Sequence, residues 1–305
     1  MRNLALLAAA LLVVACAEPR FPVTETEHAA AIHAWQQQRT AGLKAEDGWL
    51  SLVGLYWLEP GANNFGAGAG NDFILSGTGL ASHAGTFEYA EGKVVFRAAP
   101  GAPATLDGKR VTEIEMIDDN PCEPTVLALG SLRFYVIERA GNHGIRVRDL
   151  DNPARRDFEG LEYFPVSLAW RKEARFAPWP EPQGVKIINI LGMVDEMTSP
   201  GELVFEHGNE QYRVTALAEP GDTQWFIMIA DGTSGKETYG AGRYLYIDPP
   251  VDGFALLDFN KAYNPPCAFT ALATCPLPPP ANRLGLRITA GEKNYSGGEG
   301  WHAAD

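Results

Sequence analysis

Eight polar side chains in the last third of the chain have types and spacing that could do chemistry: Lys236, Tyr239, Arg243, Asp258, Asn260, Lys261, Tyr263 and Asn264. They fall in two segments flanking a short crossing. On a strand, Arg243 shares a face with Leu245 and Ile247, which would partly bury it, and Asp258 shares a face with Asn260. A buried guanidinium needs an acceptor, and Asp258 is the nearest carboxylate candidate. Two readings follow. In the first, the pair is a structural salt bridge, and Gly235, Gly240 and Gly242 permit tight turns. In the second, a glycine-lined pocket takes a small anionic or carbonyl-bearing molecule. Arg243 and Lys261 then supply positive charge, Tyr239, Tyr263 and Asn264 orient the ligand, and Lys236 and Asn260 are further ligand-binding candidates. Asp258 is the candidate catalytic base.

Other signatures of chemistry fail. Gly232-Thr233-Ser234-Gly235-Lys236-Glu237 has the wrong spacing for a phosphate loop, and Glu237 stands where Ser or Thr would hold magnesium. The Gly-Ala-Gly runs at 66–70 and 240–242 do not sit in a βαβ unit, so no dinucleotide fingerprint is present. There is no Gly-x-Ser-x-Gly elbow and no His-Glu-x-x-His helix. The six histidines are scattered. His28 and His33 are expected on the exposed side of an N-terminal helix and His302 in the tail. His83, His143 and His207 lie beside glycines at expected turns. No cofactor and no metal are expected.

The four cysteines point to a compartment. The first twenty residues hold Arg2, then an apolar run from Leu4 to Val14 that is too short to span a bilayer. Val13-Val14-Ala15-Cys16 resembles the lipobox of bacterial lipoproteins. That resemblance implies cleavage before Cys16, lipidation of its thiol and amine, and stable membrane anchoring by several chains. Ala17 resembles the outer-membrane sorting pattern, so the expected location is the cell envelope, on the periplasmic face of the outer membrane in a Gram-negative cell. Cys267 and Cys275 lie eight positions apart in a proline-rich loop, a spacing that suits a local disulfide in an oxidising envelope and leaves Cys122 unpaired. A zinc knuckle has no histidine nearby. Cys267 as a nucleophile remains the rival role.

Net charge is −13, with 38 acidic against 25 Lys and Arg residues. This argues against nucleic acid and an anionic membrane face as partners. The expected partners are the membrane through the lipid, and a small-molecule ligand or an envelope protein.

These side chains must be positioned by a mainly β chain. Residues 1–15 read as a signal peptide and 16–23 as a lipidated tether. A helix is expected over 24–43, opened by a capping box of Thr24 and Glu27, with Ile32, Trp35 and Arg39 on one face. From 44 to 151, short alternating runs such as KVVFRA and HGIRVRDL read as an antiparallel, sandwich-like β module. Ala90-Glu91-Gly92-Lys93 and Leu106-Asp107-Gly108-Lys109 read as hairpin turns. Residues 151–180 look irregular. Strands resume at VKIINI, so 152–295 reads as a second β module, barrel-like or a curved sheet, ending in a flexible tail over 296–305.

Two resemblances bear on this plan. DGWLSLVGLYWLEPGANNFG, SGKETYGAGRYLY and DPPVDGFALLDFNKAYNPPCAFTALATCPLPPPANRL are similar to segments of a prokaryotic family catalogued as domain of unknown function 1684. The likeness runs from about Trp35 to Lys293. It implies that the glycine-rich stretch and the NPPC loop belong to one shared site or structural feature, and it names no reaction. In the first half, Gly61, Phe65-Gly66, Asn71 to Leu75, Ser82-His83 and Asp107-Gly108 follow an order similar to forkhead-associated domains, which are phosphothreonine-reading sandwiches. Ala67 stands where such domains place an arginine, Ser82 and His83 are adjacent, and no Asn-Gly-Thr follows. This implies a shared sandwich plan without phosphopeptide binding. The functional expectation is a binding lipoprotein. The alternative is an enzyme of unassigned class, such as a hydrolase, with Asp258 as base and Arg243 and Lys261 as charge stabilisers.

Overall fold

A computed structural model describes residues 20–120 and 123–297. Cys16, Cys122 and His302 lie outside the described residues.

The N-terminal helix forms where local chemistry calls for it. In α1 (Glu25–Lys44), Thr24 accepts from the Glu27 backbone N–H, and the Glu27 carboxylate accepts from the Thr24 N–H at 2.9 Å. This reciprocal cap satisfies two otherwise orphaned donors. His28, Ile32, Trp35 and Arg39 form one stripe along the helix, because residues three and four apart share a face. His28 was expected on the exposed side. It is instead buried, one turn before the fully buried Ile32. The segment before it is docked from Arg20 onward: Glu173 accepts from the Arg20 and Phe21 N–H groups, and Arg171 donates to the Phe21 carbonyl. Among the described residues, no helix is long and apolar enough to cross a membrane.

The first half carries β1 (Leu52–Trp57), β2 (Gly61–Gly66), β3 (Phe73–Ile74), β4 (Gly85–Ala90), β5 (Lys93–Ala98), β6 (Ala104–Leu106), β7 (Lys109–Arg110), β8 (Glu113–Met116), β9 (Leu127–Leu129), β10 (Leu132–Arg139) and β11 (Asn142–Asp149). One sheet runs β1-β11-β10-β9-β6-β7 and the other β3-β2-β4-β5-β8. Alternation puts Phe65, Phe87 and Phe96 of one sheet against Phe134, Ile145 and Val147 of the other. Each fully buried phenylalanine is worth roughly 1.5–3 kcal/mol of transfer free energy. Both expected two-residue turns form, with positive φ at Glu91-Gly92 and Asp107-Gly108, the conformation such turns require.

The second half carries β12 (Arg171–Ile188), β13 (Val194–His207), β14 (Glu210–Ala216), β15 (Trp225–Ile229), β16 (Arg243–Ile247) and β17 (Phe254–Asp258). A four-stranded sheet runs β14-β13-β12-β17, beside a two-stranded ribbon β15-β16. These sheets do not close into a barrel, which corrects the barrel-like expectation. Nor is the stretch before residue 180 irregular: β12 starts at Arg171 and is 18 residues long. Its prolines hid it. Proline gives no ladder donor, and pairing with β13 shifts register between Pro178 and Gln183, where Pro180 and Pro182 lie. The side chain of Asn282 joins β14 to β15, donating to the Thr215 and Met228 carbonyls and accepting from the Thr215 N–H.

Candidate functional site

The eight residues do not converge on one centre. Arg243 is 1% exposed, and its carboxylate partner is Asp231 at 2.7 Å, not Asp258. The remaining guanidinium donors go to the carbonyls of Ile288, Ala290 and Glu292. Gly291, at φ 77°, lets that segment pass close against the Phe259 and Ala262 carbonyls. Asp231 also accepts from the Thr233 N–H at 2.6 Å. Both Nη groups of Arg243 are thus used inside the protein. It clamps the C-terminal segment onto β16, the structural alternative of the two.

Asp258 pairs elsewhere. Its Oδ2 lies 2.7 Å from His28 Nε2, and its Oδ1 accepts from the backbone and side-chain nitrogens of Asn260. Asp258 ends β17 and caps the turn that follows, so Asn260 is not a strand-face neighbour. It sits in that turn and exchanges two hydrogen bonds with the Ser167 backbone. Asp258 and Lys261 line a small cavity of about 210 Å³ beside Phe21, away from Arg243. Lys236 is exposed on a turn, and Tyr239 packs into a core cluster, its phenol pushed up to about 12 by burial. Asn264 accepts from Arg39 through its carbonyl and donates its N–H to Glu292.

Tyr263 leads to a different site. A cavity of about 490 Å³ opens where α1 and both β halves meet. α1 contributes Trp35 and Arg39; the first half contributes Trp49, Arg139 and Arg146. Phe226, Tyr244, Tyr246 and Tyr263 form an aromatic wall, with Phe226 and Tyr246 stacked at 4.9 Å and Tyr244 edge-on to Tyr263. The loop bearing the Cys267–Cys275 disulfide closes the remaining side with Thr274 and Cys275, and Pro276 accepts from the Tyr244 hydroxyl. That disulfide is the one expected from the spacing.

The three guanidiniums here differ in their partners. Arg39 donates to Glu292 at 2.9 Å, and Glu292 is fully buried. Arg139 holds Asp119 through two bonds of 2.7 and 2.8 Å. Arg146 is 2% exposed and has no salt-bridge partner among the described residues. Its Nε makes no hydrogen bond, and neither does the Tyr135 hydroxyl, its neighbour across the strands. Nη2 reaches Thr274 Oγ1 only at 3.4 Å, and the guanidinium sits 5.4 Å from the Trp49 ring. Burial pulls its pKa down, opposed by the adjacent Tyr135 phenol and by Asp119. A buried cation without a counter-ion is costly, and proteins tolerate such groups mainly at functional sites.

Sequence reasoning missed Arg146. Its signal was the alternation of HGIRVRDL, in which Ile145 and Val147 face the sandwich core and Arg146 and Arg148 face away. Nothing local reveals that a loop 128 positions later covers that outer face. His28 had a plainer signal, since it lies four residues before Ile32 on the predicted apolar stripe. Among the described residues, no three His, Cys, Asp or Glu side chains gather as a metal site.

Fold and cavity together define a mainly β protein whose two groups of sheets and one long helix enclose an aromatic, basic cavity. Residues 156–293 match the family described as "Protein of unknown function (DUF1684)", and the chain carries a domain of this family there. The solution NMR structure of an uncharacterized protein from gene locus rrnAC0354 of Haloarcula marismortui is similar at 32% identity. It matches over 46% of this chain and 80% of its own, with a TM-score of 0.40. Two distant likenesses are to forkhead-associated domains. The FhaA FHA domain complexed with the intracellular domain of Rv3910 is 19% identical, over 31% of this chain and 97% of its own, with a TM-score of 0.22. The Rv0020c FHA structure is 20% identical, over 32% and 91%, with a TM-score of 0.22. No curated protein matches the chain.

Proposed function

We propose that the protein is a lipid-anchored envelope protein that holds a small anionic molecule with an aromatic or planar body in the junction cavity. The anchor rests on the Val13-Val14-Ala15-Cys16 motif. The ligand reading rests on one observation: Arg146, buried and without a carboxylate partner, lines a cavity otherwise walled by aromatic rings. A ligand anion supplies the missing acceptor, and the rings offer flat apolar surface. The volume lies within the range typical of small-molecule sites, roughly 300–1,000 Å³. The hydrolase alternative gains nothing from Asp258, because both carboxylate oxygens are already engaged by His28 and Asn260.

The test is to purify the protein from its own cells, release bound small molecules by denaturation, and identify them by mass spectrometry. An aromatic anion should co-purify with wild type and be absent from Arg146→Met. Equal recovery from both proteins would remove Arg146 from the site. Fatty-acid labelling that persists in Cys16→Ser would remove the anchor.

A further inference from the structure

We infer that the ligand is an aromatic monocarboxylate, recognised by a site built to neutralise a single negative charge. This rests on the reading of the cavity proposed above and goes on to fix the charge and class of the ligand. The inference comes from a charge count around the cavity. Three guanidiniums line it, of Arg39, Arg139 and Arg146. Glu292 neutralises the first and Asp119 the second, both through direct bonds. Arg146 alone is left uncompensated at the cavity wall. Arg148, two residues further on, lies over the Tyr135 ring and does not line the cavity. Glu138, next to Arg139, adds further negative charge nearby.

One buried positive charge balances one ligand charge. A dianion would leave a second negative charge facing Asp119 and Glu292 through a poorly solvated medium, where like charges repel strongly. A carboxylate also suits the available donors. The guanidinium fork presents parallel N–H groups to two coplanar oxygens. Arg146 lines the cavity with its Nε unsatisfied and only one long bond from Nη2, and the Thr274 hydroxyl lies beside the same guanidinium. Phe226, Tyr246 and Tyr263 provide near-parallel faces for the ring, with Tyr246 and Tyr263 inclined by 17°.

A matched series separates charge from shape: 2-naphthoate, its methyl ester and 2-naphthyl phosphate share one ring system. They are titrated by calorimetry into the whole chain at about pH 8, where an aryl phosphate carries close to two charges. 2-Naphthoate should bind at least about tenfold tighter than either of the others, since the ester lacks the anion and the phosphate exceeds the site's charge. Arg146→Met should abolish the preference for acid over ester, and Arg146→Lys, which keeps the charge, should retain part of it. Tighter binding of the phosphate overturns the single-charge inference and leaves the cavity reading standing. Equal binding of acid and ester to wild type, or no binding of any of the three, overturns the cavity reading as well.

Discussion

The protein buries two arginines to almost the same degree and treats them in opposite ways. Arg243, in the second half, has Asp231 and three backbone carbonyls as acceptors. Arg146, in the first half, has a distant threonine hydroxyl and a ring face. The first arrangement is closed, because both Nη groups bond within the protein and the side chain is almost fully buried. The second is open: its Nε is unmet and the side chain lines a cavity. Burial alone does not distinguish the two arginines. The informative quantity is the acceptor count around each.

Perturbing each arginine should therefore shift stability in opposite directions. The largest effect is expected at the closed site. Arg243→Met leaves Asp231 charged and buried, which should cost about 3–5 kcal/mol in urea denaturation, and adding Asp231→Leu should recover much of it. A loss below about 1 kcal/mol in the single variant would show that the clamp is not what holds the C-terminal segment.

Arg39 is the intermediate case, since it lines the cavity yet is paired. Arg39→Met should cost about 2–3 kcal/mol, the worth of charged hydrogen bonds to a buried carboxylate. Burial raises the Glu292 carboxyl above its ordinary value of 4.5, with Arg39 pulling it back down. A carboxyl raised on folding binds its proton more tightly in the folded state, so it subtracts stability as pH climbs from the unfolded value through the folded one. Stability measured across that window should decline with pH in wild type, and Glu292→Gln should flatten the decline. An identical slope in both would assign it to other groups.

Arg146→Met should have the opposite sign to Arg243→Met. Removing an uncompensated buried charge should raise stability by about 1 kcal/mol while removing ligand, the usual trade at a binding site. Destabilisation by more than about 1 kcal/mol would mean Arg146 is structural after all. The smallest effect is expected at Lys261, which does not line the junction cavity. Lys261→Met should stay within about 0.5 kcal/mol of wild type and keep ligand affinity. Lost affinity there would move the site to the smaller cavity beside Asp258.

What could be read from the sequence was what local chemistry determines. The Thr24 and Glu27 cap, the turns at Glu91-Gly92 and Asp107-Gly108, and the Cys267–Cys275 bond each involve residues close in the chain. The partners of buried charges were not legible. Asp258 was a reasonable choice for Arg243, but Asp231, only twelve positions away across the β15–β16 ribbon, takes that place. Strand β12 was hidden by prolines that a long hairpin tolerates at a register shift. Of the ligand candidates, only Tyr263 reaches the junction cavity. The others stand at a clamp, a cap, a turn and a core, because which polar face a fold leaves open depends on packing between distant segments.

The helix stripe carries a consequence for how the molecule is made. His28 meets Asp258 across 230 positions, and Arg39 meets Glu292 across 253. The sandwich core draws its partners from within the first half, so it can assemble before the second half has emerged. α1 precedes that sandwich in the chain, but its anchoring carboxylates do not exist until nearly the whole sequence has emerged. Such long closures are slow relative to local pairing. The wall that Trp35 and Arg39 contribute is therefore among the last parts to be set in place, and the junction cavity is incomplete until the chain has emerged past residue 292.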